Sequence, residues 1–173
     1  MTVTYLAQAP DFAKNDSILE YVLRGKPDAT EAEAKKILTK LGINDFDADI
    51  NTLSGGQKKR IALAKTLVSP AEVLILDEPT NHLDSDMVMW LEQFIKGFKG
   101  ELLVVTHDRY FLDNVTNRIV ELDKGKLYSY DTNYSGFLEL KTQREEDLRS
   151  TEAKRANILR RELEWIKRGC QAR

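Results

Sequence analysis

Residues 73–76 of this chain, Val-Leu-Ile-Leu, run apolar into two adjacent carboxylates, Asp77 and Glu78, and stop at Pro79. A run that short, rich in β-branched residues and bounded by a breaker, predicts a strand buried on both faces of a parallel sheet. It therefore points to an α/β architecture. Ligands of open α/β sheets sit at the carboxyl ends of such strands. Asp77 and Glu78 are thus expected where a nucleotide's metal ion and phosphates would lie. Taken alone, the same residues also fit a buried strand that ends in a solvated acidic turn, and the neighbouring segments have to decide.

The chain upstream reads as strand, then helices. Val3 to Gln8 alternates like a strand, and Pro10 forbids its continuation. Ser17 to Leu23 is a short apolar-periodic helix ahead of Gly25 and Pro27. Thr30 and Glu33 form a capping-box pattern for a second helix whose face is Ala34, Ile37, Leu38 and Leu41, with Gly42 as its stop. Ser54 and Gln57 repeat the capping box, and Ile61, Ala64, Leu67 and Val68 supply the buried face behind it. Between those caps, Gly55 and Gly56 lack Cβ atoms, so phosphate oxygens can approach the backbone N–H groups at a helix N-terminus. An isolated Ser-Gly-Gly-Gln is more often a well-capped helix than a ligand site. Its place just upstream of the acidic strand reverses that preference.

Downstream, Asp84 or Ser85 can cap a helix through Val88, Leu91, Phe94 and Ile95 that ends near Gly97. Leu102 to Thr106 is a second buried strand and delivers His107 and Asp108. A lone histidine at a strand end is usually structural, and His107 rises above that only because a neighbouring strand end already presents an acid pair. His82 reads as part of the loop after Pro79. A helix from Arg109 to Val115 leads to a hairpin, Arg118 to Leu122 and Lys126 to Tyr130, turning at Asp123-Lys124-Gly125.

From about Tyr134 the chain becomes one long charged helix. Leu148, Ala156, Leu159, Leu163 and Ile166 form a sparse coiled-coil seam that asks for a partner. From Lys141 onward, ten Lys/Arg stand against six Asp/Glu, a net of +4; with a total of -2, the first 140 residues carry -6. A basic tail on an acidic body predicts an anionic partner for the tail. No apolar run approaches the ~20 residues of a membrane span. Residues 2–7 lack the basic start and apolar stretch of a signal peptide. The single Cys170 excludes an internal disulfide framework and suits a cytoplasmic location.

Gln8 after a strand, Leu53-Ser54-Gly55-Gly56-Gln57, Val73 to Glu78, Asp84, and His107 after a strand occur in the order of five motifs. In that order they resemble the ATP-binding cassette (ABC) ATPases, with their Q-loop, signature, Walker B, D-loop and switch histidine. The Asn-His-Leu-Asp form of the D-loop and the charged helix ending in Trp165-Ile166-Lys167-Arg168 resemble the ABC-F subfamily, ribosome-acting proteins with two cassettes joined by a helical linker. The resemblance implies an α/β, partial P-loop NTPase fold with a parallel sheet, a small helical subdomain and a long C-terminal helical arm. Residues 1–132 would be the cassette part, with the helical subdomain at about 10–70. Residues 133–173 would be a linker helix, half of an antiparallel coiled-coil arm.

The same resemblance implies roles. Asp77 would hold Mg²⁺ through water, Glu78 would act as general base, and Gln8 would sense metal and γ-phosphate. His107 would contact the γ-phosphate and the water held by Glu78. Ser54, Gly55, Gly56 and Gln57 would complete the ATP site of a second, facing cassette, and Asp84 would couple the two sites. Partners would be that second cassette and, through the basic helix, the ribosome, rRNA or tRNA, in translation and, as in some members of that subfamily, antibiotic resistance. One motif is missing: no G-x-x-x-x-G-K-[ST] occurs, Gly25-Lys26 being followed by Pro27. The chain therefore reads as a fragment of an ATPase, inactive by itself. The alternatives are the ATP-binding subunit of a membrane transporter, which shares all five motifs, and a non-catalytic binding fragment.

Overall fold

The computed structural model describes residues 1–6, 12, 17–24, 29–68 and 71–170, with side chains as far as residue 167. Two compact units result, Met1–Val115 and Thr116–Arg173. Gln8, Pro10, Gly25, Lys26 and Pro27 lie outside the described residues, so the expected ends of the first strand and first helix are not among them.

In the first unit, β1 (Val3–Leu6), β2 (Val73–Asp77) and β3 (Glu101–Val105) form a parallel sheet in the order β1-β2-β3. The register sets Tyr5, Ile75 and Leu103 side by side, and Leu6, Leu76 and Val104 likewise. Between β1 and β2 run α1 (Ile18–Leu23), α2 (Glu31–Lys40) and α3 (Gly55–Leu67). Capping boxes form on all three, at Thr30 with Glu33 and Ser54 with Gln57 as expected, and also at Ser17 with Glu20. Each satisfies two backbone donors that a helix start would otherwise leave orphaned. At the end of α2, Gly42 takes φ +70°, and a Cβ there would meet Met87 Cε at 2.6 Å. The left-handed backbone favours glycine, while the flexible end of Met87 could give way to a side chain.

The helix α4 (Ser85–Lys96) carries the chain from β2 to β3, and α5 (Arg109–Val115) follows β3. Ala34, Leu38, Leu41, Ile61, Ala64, Leu91 and Phe111 are fully buried and join Leu74 and Leu76 in one core. Full burial of a side chain such as Leu76 contributes about 1.5–3 kcal/mol.

The sheet departs from expectation on its second face. Leu6, Leu74 and Leu76 are buried, but β2 alternates, with Val73, Ile75 and Asp77 only half-buried. Val3, Tyr5, Leu103 and Val105, on the same face as Val73 and Ile75, are each at least half exposed. Thus β2 is not buried on both faces as expected, and β3, also expected to be buried, is not. Successive strands step the same way across this sheet, and right-handed crossovers then lay both connections on one side. The apolar run in the sequence reflects a surface that the described helices do not reach.

In the second unit, β4 (Ile119–Asp123) and β5 (Lys126–Tyr130) form an antiparallel hairpin. Lys124 and Gly125 both adopt positive φ, 49° and 75°. Two consecutive left-handed residues make the mirror-image turn that matches strand twist. The helix α6 (Tyr134–Cys170) follows, and its 37 residues correspond to roughly 55 Å. Its first turns pack on the hairpin, which shares a unit with α6 although the sequence grouped it with residues 1–132. Phe137 meets the Tyr130 ring edge-on at 5.1 Å. The Arg144 guanidinium lies 3.7 Å above the Tyr128 ring and donates from Nη2 to Glu121 at 2.8 Å. Lys141 also pairs with Glu121. Further along, Leu148, Leu159, Leu163 and Ile166 are all exposed, so the seam is uncovered.

Candidate functional site

The end of β2 carries the acid pair, and the backbone there is unusual. Asp77 is the last strand residue, and Glu78 adopts φ +48°. A left-handed non-glycine residue costs roughly 1–3 kcal/mol and persists only where surroundings impose it. Here the Glu78 N–H donates to the carbonyl of Val105 at 2.7 Å, at the end of β3. This pulls Glu78 toward the neighbouring strand end while Pro79, buried, turns the chain away.

The Glu78 carboxylate is only 14% exposed. The Thr106 hydroxyl donates to its Oε2 at 3.1 Å, and the His107 N–H approaches the same oxygen at 3.5 Å. His107 Nε2 lies 3.7 Å from Oε1, and the imidazole is otherwise open to solvent. Glu78 and His107, each expected at the end of a strand, are thus brought together. Asp77 lies beside them, and its carboxylate accepts no hydrogen bond among the described residues. Gln8 is outside the described residues.

Ser54 and Gln57 spend their side chains on each other. The Gln57 Oε1 accepts from the Ser54 N–H at 3.0 Å and from the Ser54 hydroxyl at 2.8 Å, and Ser54 Oγ accepts from the Gln57 N–H at 3.3 Å. Among the described residues, the donors left for an anion are the N–H groups of Gly55 and Gly56 and the Gln57 Nε2 amide. A Cβ on Gly55 would meet nothing within 4 Å, so that side of the turn is open. A Cβ on Gly56 would sit 3.5 Å from His82 Cβ, which places the loop after Pro79 against this turn. His82 itself adopts φ +68°. Asp84 is exposed and caps α4, its Oδ1 accepting from the Met87 N–H at 2.9 Å. No hydrogen bond or ion pair among the described residues joins Ser54–Gln57 or Asp84 to Glu78 and His107.

The donors fit a magnesium nucleotide. No group of three or more His, Cys, Asp or Glu that could hold a metal ion occurs among the described residues. Mg²⁺ beside phosphates keeps most of its waters and takes only one or two carboxylates, and the unbonded Asp77 carboxylate offers one. The open Gly55 face and the glycine N–H groups likewise suit a phosphate.

Sequence reasoning missed Thr106. A hydroxyl closing an apolar strand, one residue before a strand-end histidine, was the available signal. It looked like strand composition, because threonine is a common strand residue.

Two family models described as "ABC transporter" match the chain, over residues 1–81 and 120–173. The "Uncharacterized ABC transporter ATP-binding protein YfmR" of Bacillus subtilis is 56% identical over 140 residues, covering 81% of this chain and 22% of that protein. The "Energy-dependent translational throttle protein EttA" of Escherichia coli K12 is 47% identical over 133 residues, 77% of this chain and 24% of that protein. Among solved structures, the complex of archaeal ribosomal stalk protein aP1 and ribosome recycling factor aABCE1 matches with a TM-score of 0.57 and 30% identity, over 74% of this chain and 26% of that one. The chain thus spans about a quarter of the length of the relatives it matches.

Proposed function

The chain belongs to the ATP-binding cassette family, on its ABC-F branch, and on that premise we propose that it supplies the hydrolytic half of an ATP site in a protein acting on the ribosome. The observation that carries this reading is the Glu78 carboxylate held at the ends of β2 and β3, beside His107. Phosphoryl transfer to water asks for a positioned base and charge stabilisation rather than covalent chemistry. Glu78 orients the attacking water and accepts its proton. His107, open to solvent, reaches the γ-phosphate. Asp77 would hold Mg²⁺, which would supply charge neutralisation at the phosphates. Gln8 serves the same site. Gly55 and Gly56, with Ser54 and Gln57 shaping their turn, offer N–H donors to the ATP of a second cassette, and Asp84 couples the two sites.

Support for the ribosome comes from the relatives, whose names include a translational throttle and a ribosome recycling factor. The basic, exposed α6 adds an electrostatic reason, since RNA backbones bind such surfaces in a salt-dependent way. The description of both family models as transporter components favours a second reading, an ATP-binding subunit that partners membrane-spanning chains. Among the described residues no helix is long and apolar enough to cross a membrane. Fractionation of cells expressing the full-length protein separates the two. Sedimentation with ribosomes that weakens as salt rises supports the first; recovery with membranes alone contradicts it.

A further inference from the structure

We propose that Thr106 is a positioning residue that fixes which oxygen of Glu78 receives the proton from the attacking water. This rests on the reading of Glu78 as the base. The Thr106 hydroxyl accepts from the Asp108 N–H at 3.1 Å, so its own proton is directed to Glu78 Oε2, also at 3.1 Å. Asp108 is in turn fixed: its Oδ1 accepts from the Phe111 N–H at 3.0 Å, and Phe111 is fully buried. A chain of three hydrogen bonds therefore runs from the core to one carboxylate oxygen. The β-branched side chain holds its hydroxyl in few rotamers, which preserves that direction.

The two Glu78 oxygens are made different as a result. Oε2 is engaged by Thr106, with the His107 N–H near it, while Oε1 faces the imidazole Nε2 at 3.7 Å. Among the described residues Oε1 accepts no hydrogen bond, so its lone pairs remain for the attacking water. The water loses a proton to Oε1 as its oxygen attacks the γ-phosphorus, and the bond to the leaving diphosphate oxygen breaks. Without the Thr106 donor, the carboxylate can rotate and both oxygens compete for the water.

The test uses the full-length protein carrying this chain. Thr106→Val keeps the shape and removes the hydroxyl, and the expected result is a fall in kcat of roughly 10- to 100-fold, the worth of a hydrogen bond to a charged group. KM and nucleotide affinity stay within about twofold, and Thr106→Ser restores most of the rate. Should the valine variant not fold, Thr106→Ala against Thr106→Ser makes the same comparison. Wild-type kcat in Thr106→Val while Glu78→Gln is inactive overturns this proposal and leaves the base reading standing. A fall in kcat that Thr106→Ser does not rescue also overturns it. Wild-type turnover in Glu78→Gln removes the base reading and this proposal with it.

Discussion

His107 Nε2 lies 3.7 Å from Glu78 Oε1, each residue a short step beyond the end of its own strand. The parallel register of β2 and β3 pairs Asp77 with Val105, so the residues that follow leave the sheet side by side. The left-handed turn at Glu78 and its bond to the Val105 carbonyl then close the gap. Two side chains 29 residues apart in sequence become one acid–imidazole pair. The fold creates this pairing from the backbone; neither side chain needs the other to reach its place.

The turn at Ser54–Gln57 separates stability from activity. Ser54→Ala removes the cap of α3 and is expected to cost about 1 kcal/mol of stability. Gly55→Ala adds its Cβ into space with no atom within 4 Å, so stability is expected to hold or rise slightly. In the full-length protein, however, Gly55→Ala obstructs the approach of a phosphate and lowers ATP turnover. Urea unfolding and ATPase assays on both variants check this. A Gly55→Ala variant with undiminished turnover contradicts the anion-binding role of the turn.

The hairpin and α6 carry a pH dependence of their own. Burial pushes the Glu121 carboxyl up, but its bonds with Lys141, the Arg144 charge and the Tyr130 hydroxyl outweigh this and leave it below 4.5. The hydrogen bond that Lys141 donates to Glu121, against burial, raises its own pKa above 10.5. A depressed carboxyl contributes stability above its unfolded value that is lost as pH falls through the folded value. A raised lysine contributes stability below 10.5 that is lost as pH rises through its folded value. The contact is therefore at full strength between about pH 5 and 10. Unfolding followed by tyrosine fluorescence from about pH 7 down to 3 is expected to show stability falling below 4.5. Glu121→Gln flattens that fall, and an identical acid dependence in the variant contradicts the assignment.

Much of this site is legible from local pattern. The capping boxes at Thr30 and Ser54, the hairpin turn at Lys124-Gly125 and the acid pair after Leu76 depend on residues within a few positions of one another, and each forms as read. What escaped depends on distant chain. An apolar run such as Val73 to Leu76 reads the same whether one face is covered or two, because coverage is decided by where crossover helices lie. Thr106 escaped for a related reason. Its role exists only because β3 brings it beside a glutamate that leaves β2, a relation no window of sequence contains. His82 read as loop structure, and its packing against Gly56 gives that loop a definite place beside the glycine turn.

The central claim is that Glu78 is the hydrolytic base, and its most direct measurement is single-turnover ATP hydrolysis by Glu78→Gln in the full-length protein. The glutamine keeps the size of the side chain and can still face Thr106, but it cannot accept a proton. A base positioned in this way is worth roughly 10²- to 10⁴-fold, so hydrolysis is expected to fall by that factor while ATP stays bound and the cassettes stay closed. Hydrolysis near the wild-type rate, with ATP bound, would contradict the account.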